Sequence, residues 1–249
     1  SEIESGLALS GRGTPFIIAP RIDAIPGRLA TEAVTLEAWV SIDMPTQWGG
    51  VVGAIQDNGE AETGMILGYG YEKPYFGISS TGLDDEDGRI TYLESSKPYT
   101  IGKWHHLVGT YDGTTMNLYM DGEKVAESLD QSGPIRFRGD EPLVIGGYLD
   151  RNEDHGLDGR LFEVSVLPTA ISAEEVRRRF TRHSELAALP PEIDTTLAWM
   201  VEPFLVWPTT DAMSVVAETL APSAMEVRVR DETGGFQRTW RNDRAARLH

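Results

Sequence analysis

The 249-residue chain is 40% hydrophobic and 24% charged, an ordinary globular composition that excludes a fibrous or intrinsically disordered class. Its net charge of −17 is spread as 29 acids against 16 bases over residues 1–183 and 10 against 6 over residues 184–249, which argues against nucleic acid as a partner. Without cysteine, disulfides, thiolate metal sites and thiol nucleophiles are excluded, and no apolar run reaches the ~20 residues of a membrane-spanning helix.

Short apolar runs bounded by Gly, Pro, Asp and Asn recur from Leu7 to about Ser165. They are Phe16–Ala19, Val34–Ile42, Gly50–Ile55, Met65–Tyr71, Tyr75–Ser79, Arg89–Leu93, Trp104–Tyr111, Thr115–Met120, Leu143–Ile145 and Leu161–Val166. Spacing of this kind without a helical period predicts an all-β sandwich of two packed antiparallel sheets. In residues 102–128, Asp112-Gly113 and Asp121-Gly122 supply the backbone that tight hairpins need, so three strands and two turns are expected there. Trp104 and Val108 lie on one parity and Leu107 and Tyr111 on the other, which predicts an inner strand with apolar groups on both faces.

One short helix is expected after the strands. Ser172-Ala173-Glu174-Glu175 reads as a capping box, and Val176 and Phe180 then share a face. Arg177 to Arg179 suit the negative end of the helix dipole and read as structural. Pro190-Pro191 cannot continue a helix and marks residues 184–198 as a linker. From Trp199 a strand-turn-strand pattern fills residues 199–249, with alternation in Met225–Arg230. A closed sandwich of the immunoglobulin type takes about 100 residues, so this segment is expected to be the N-terminal part of an incomplete domain. The start at Ser1 without a signal-peptide pattern fits a processed secreted protein or a trimmed chain, and a secreted or periplasmic location is expected.

Several motifs stand in a recognisable order: Gly6-Leu-Ala-Leu-Ser-Gly11, Thr35-Leu-Glu-Ala-Trp-Val40, Gly102-Lys-Trp-His-His-Leu-Val-Gly-Thr-Tyr-Asp-Gly113, Leu118-Tyr-Met-Asp-Gly122, Leu143-Val-Ile-Gly-Gly147 and Asp158-Gly-Arg-Leu-Phe-Glu-Val-Ser165. With Ala170–Val176 they make residues 7–180 resemble a laminin-G-like, concanavalin A-like domain. The resemblance implies a jelly-roll sandwich, residues 1–183, with one short C-terminal helix. Residues 203–240, above all Pro203-Phe-Leu-Val-Trp-Pro-Thr-Thr-Asp-Ala-Met-Ser-Val-Val-Ala-Glu-Thr219, resemble the opening strands of the fibronectin-type domain of purple acid phosphatase-like metallophosphoesterases. That resemblance implies a non-catalytic accessory region, binding carbohydrate or a partner, of a larger secreted metallophosphoesterase. The downstream phosphoesterase domain would be its partner and would hold two divalent metals. Two further readings are a structural lid or spacer, and a glycoside hydrolase, which needs two carboxyls about 5 to 9.5 Å apart.

Sugar rings stack on flat aromatic faces, and their hydroxyls need hydrogen-bond partners. Trp48, Tyr69, Tyr71 and Tyr75 flank the loops around Asp57 and Glu72, and these six are the candidate ligand-binding residues. Trp48, between Gln47 and Gly49-Gly50, is the least core-like tryptophan, whereas Trp39 and Trp104 read as core. Calcium takes 6 to 8 oxygen ligands. Two positions that are commonly Asp in the resembled family are Ser10 and Phe162 here. Substitute ligands are Asp57, Asn58, Glu60 and Glu62, or Asp150, Asn152, Asp154 and Asp158, the second group being the candidate calcium site. Adjacent on a strand, His105 and His106 face opposite ways and are expected to pack. Asp84 to Asp87 read as a charged hairpin tip. Glu192-Ile-Asp194 imitates the start of a three-carboxylate glucanase motif but continues into Thr196-Leu197, and no Gly-x-Ser-x-Gly or His-Glu-x-x-His stretch occurs. No catalytic residue is expected within this chain.

Overall fold

Alternation along β3 (Val34–Met44) sorts the layers. Val34, Leu36, Ala38, Val40 and Ile42 enter the main core, while Trp39, on the other parity, joins a separate cluster with Trp104 and Leu186. The structure, a computed structural model, describes residues 7–11, 15–24, 31–58, 62–82 and 89–191, together with the backbone of strands at 199–206, 214–219, 223–230 and 237–246. Asp84 to Asp87, Glu60, Glu192 and Asp194 lie outside the described residues.

Two compact units divide the chain, Ser1–Ile193 and Asp194–His249. The first contains two six-stranded antiparallel sheets. One runs in the order β1 (Leu7–Ser10), β14 (Asp158–Leu167), β3, β8 (Trp104–Tyr111), β9 (Met116–Met120), β10 (Glu123–Ser128). The other runs β2 (Phe16–Ala19), β11 (Leu143–Ile145), β4 (Gly49–Gln56), β5 (Thr63–Tyr69), β6 (Pro74–Ile78), β7 (Thr91–Glu94). A small hairpin of β12 (Gly147–Leu149) and β13 (Asp154–Gly156) lies against β4. Leu36, Leu67, Phe76, Leu107 and Leu118, all fully buried, knit the two inner faces together. Burying each such side chain stabilises the fold by about 1.5–3 kcal/mol.

β8 is indeed an inner strand, registered against β3 with Trp39 opposite His106 and against β9 with Val108 opposite Tyr119. At the second hairpin Asp121 and Gly122 have φ of 54° and 79°, the pair of positive values that a type I′ turn requires. The Asp121 carboxylate accepts from His106 N at 2.9 Å and from His105 Nδ1 at 2.8 Å. His105 Nε2 accepts from Thr100 N at 3.0 Å, so its proton resides on Nδ1. The Trp-His-His run is thereby tied to the turn that follows it.

Helices α1 (Ala173–Arg182) and α2 (Ser184–Ala188) cover the outer face of the first sheet. Val176 packs with Val108 and Tyr119, and the Phe180 ring stacks on Trp39 at 5.7 Å. Only half of the expected capping box forms. Ser172 Oγ accepts from Glu175 N, but the Glu175 carboxylate turns to Arg178 and Arg179, each at 2.8 Å. Arg179 also reaches Glu37 at 2.7 Å, and Glu37 accepts from His106 Nε2 at 2.9 Å. Burial pushes the Glu37 carboxyl up, but His106 and Arg179 outweigh it and hold it below the usual glutamate value. The segment expected to open a linker also differs. Residues 184–188 are helical, and Leu186 is buried against Trp39 and Trp104.

In the second unit β15 (Trp199–Val206) pairs antiparallel with β16 (Ser214–Thr219), and β17 (Ser223–Arg230) with β18 (Gln237–Ala246). Among the described residues these are two separate two-stranded ladders.

Candidate functional site

The second sheet turns an aromatic surface away from the inter-sheet core. On β6, Phe76 points inward to the main core, so its neighbour Tyr75 points outward, where it clusters with Ile55, Ile66, Ile90, Tyr92 and Tyr148. The Tyr75 ring lies across β5, and its hydroxyl donates to Gly49 O on β4 at 3.0 Å. Glycine at position 68 permits this path, because a Cβ there would sit 2.4 Å from Gly49 O and 2.5 Å from Tyr75 Cζ. Tyr92 on β7 meets Tyr75 edge-on, with centroids 5.3 Å apart and planes at 86°. Its hydroxyl donates to Asp57 Oδ2 at 2.6 Å.

Trp48, in the turn before β4, closes the group. Its ring is 5.6 Å from Tyr92 and 6.3 Å from Tyr75, yet 42% of the residue is exposed. With Tyr71, which is 63% exposed, these residues line a cleft of about 330 Å³ whose other walls are Gln47, Glu72, Lys73 and Glu94. Lys73 Nζ pairs with Glu94 at 3.0 Å. The exposed Glu72 carboxylate has no partner among the described residues. A flat ring beside carboxylate, amide and ammonium groups is the composition that a polyhydroxylated ring requires.

A second layer holds these rings. Asp150 Oδ2 accepts from Tyr148 Oη at 3.2 Å and from Asp57 N at 3.3 Å, while its Oδ1 accepts from Asn152 N at 2.9 Å and Glu153 N at 2.7 Å. Burial raises the Tyr75, Tyr92 and Tyr148 hydroxyls well above ordinary tyrosine, and the neighbouring carboxylates raise them further. All three therefore act as neutral donors.

Residues 20–177 match the concanavalin A-like lectin/glucanases superfamily. The chain belongs to this superfamily. The chain is 30% identical over 183 residues to mouse pappalysin-1 and 25% identical over 197 residues to human pappalysin-1. The chain spans 11% of the length of those relatives, in each case aligning 68% and 74% of itself. Among solved structures it is similar to the CBM40 of a Ruminococcus gnavus IT-sialidase, solved bound to α2,3-sialyllactose. That match has a TM-score of 0.55 at 13% identity and covers 71% of this chain and 95% of the other, a likeness of fold.

The concanavalin A-like fold brings Trp48, Tyr71, Glu72 and Tyr75 to one cleft, but it separates the other candidates. Tyr69 is a correction. It is 0% exposed within the main core because it shares inward parity with Met65 and Leu67, so no ligand reaches its face. Asp57 does not line the cleft and serves instead as the acceptor for Tyr92. Sequence reading missed Tyr92 and Glu94, which lie two residues apart on β7. Their alternation was visible, but only the pairing of Glu94 with Tyr75 and of Tyr92 with Gly77 puts them at the cleft.

The calcium candidates are spread over separate elements. Asp150, Asn152, Asp154 and Asp158 do not converge as a ligand set, and among the described residues no group of three or more acids and histidines is arranged to hold a metal. The reason is local. The lone pairs of Asp150 are taken up by four protein donors, Asn152 contributes its backbone N–H to that arrangement, and Asp154 is exposed on β13 while Asp158 lies on β14. Glu62 is likewise engaged, accepting from Ile90 N at 2.9 Å and pairing with Arg89.

Proposed function

We propose that this chain is a non-catalytic carbohydrate-binding region, and that the cleft floored by Tyr75 and Tyr92 and walled by Trp48 is the sugar site. The observation that carries this reading is the half-exposed Trp48 ring, supported on two tyrosines whose own hydroxyls are already satisfied. Such a ring is held in place before a ligand arrives, which lowers the ordering cost of binding. Superfamily membership supports the reading, and the sugar complex of the similar Ruminococcus gnavus module is consistent with it. Trp48→Ala should abolish retention on an immobilised glycan that retains the native chain, while changing the melting temperature little. A native chain retained by no glycan on an array would refute the proposal. The wider setting, an accessory region of a secreted metallophosphoesterase, extends the proposal through the resemblance of residues 203–240. Sequencing the parent gene beyond His249 tests it.

A further inference from the structure

Resting on that reading, the charges around the cleft point to a ligand class. We infer that the cleft selects a glycan carrying a free ammonium group, such as a hexosamine with an unacetylated amine, and rejects anionic sugars, with Glu72 as the specificity-determining residue. Of the residues that line the cleft, Glu72, Lys73 and Glu94 are charged. Lys73 is committed to Glu94 at 3.0 Å, which neutralises the cation that an acidic sugar would need. Glu72 stands exposed on the rim without a partner among the described residues. Beneath the floor, Asp57 accepts from Tyr92 at 2.6 Å and adds a second negative charge that no lining cation offsets.

The rings themselves suit a cation, since the face of Trp or Tyr attracts an ammonium group electrostatically. Their centroids lie 5.3 to 6.3 Å apart, so they pack against one another and leave no gap in which a quaternary ammonium could be caged. The ligand must therefore lie along the outer Trp48 face, where an amine on the sugar edge comes within reach of Glu72. A carboxylated sugar in the same pose would meet Glu72 as a like charge. On a chain of net charge −17 it would also approach against the long-range field.

The test is titration of the whole chain with matched tetramers of glucosamine, N-acetylglucosamine and galacturonate, at mildly acidic pH so that the amine is protonated. The glucosamine tetramer should bind tightest, leading the N-acetylated one by about two- to fivefold, the range expected of an exposed ion pair. That lead should shrink in high salt, as the Debye length contracts from ~10 Å to ~3 Å between 0.1 and 1 M. Glu72→Gln should remove it without changing the melting temperature, and Glu72→Lys should admit the galacturonate tetramer. A native preference for galacturonate, or a rank order unaltered by Glu72→Gln, overturns the inference and leaves carbohydrate binding standing. Failure of every tetramer and every glycan on an array overturns both.

Discussion

Substituting Gly68 by alanine should dismantle the cleft from beneath. The added Cβ would lie 2.4 Å from the Gly49 carbonyl oxygen, 2.5 Å from Tyr75 Cζ and 2.6 Å from its Oη, all closer than real contacts allow. Overpacking of this kind costs about 1–3 kcal/mol. Displacing the ring also breaks the bond from its hydroxyl to Gly49 O, at about 1 kcal/mol. Against this, alanine restricts the unfolded chain and returns about 0.4–1 kcal/mol. The net expectation is a loss of about 1–3.5 kcal/mol, or roughly 2–14 °C in the first transition seen by calorimetry. The decisive assay is a double-mutant cycle with Tyr75→Ala, which removes the ring and leaves only the Gly49 carbonyl, 2.4 Å away, against the added Cβ. Gly68→Ala should then cost less than in the native background but not vanish, since the Gly49 carbonyl still crowds the Cβ. An equal cost in both backgrounds would refute the claim that the Tyr75 ring shares in the demand for glycine.

The remaining predictions concern groups that support the cleft and the helices. Asp57→Ala should weaken glycan binding and lower stability by about 1.5–3 kcal/mol, because Tyr92 loses a charged acceptor, while Asp57→Asn should recover most of both. Identical behaviour of the two variants in calorimetry and titration would show that the acceptor is not the reason. Glu37 sets a limit on acid tolerance. Its folded value lies below its unfolded value, near 4.5, so its contribution is present above that pH and lost as pH falls through the folded value. Melting temperatures measured from neutral pH down to about pH 3 should therefore fall more steeply for the native chain than for Glu37→Gln.

Much of the first unit was legible because its strands are bounded by residues with strong local preferences. Phe16–Ala19, Trp104–Tyr111 and Leu143–Ile145 stand as read, and the Asp-Gly steps place both hairpins of the meander. Trp48 was legible for a related reason, since a large ring flanked by Gln47 and two glycines has no alternating partners to bury it. The run around Tyr69 to Tyr75 misled because β5 and β6 are buried on both faces. Where both parities are apolar, period two no longer tells the core from the outer surface. Tyr69 and Tyr75 were grouped as one edge, yet one fills the main core and the other floors the cleft.

The residue order by itself determined that this chain forms strands, where its tight turns fall and where a helix begins, because those outcomes depend on neighbours a few positions apart. Tertiary structure alone decided that Tyr92 of β7 stands beside Tyr75 of β6 and Trp48 of the turn before β4, and that Glu72 is left without a partner among the described residues while Lys73 is taken by Glu94. Strand register and the path of one ring over a glycine set those juxtapositions, and both are fixed by packing between residues far apart along the chain.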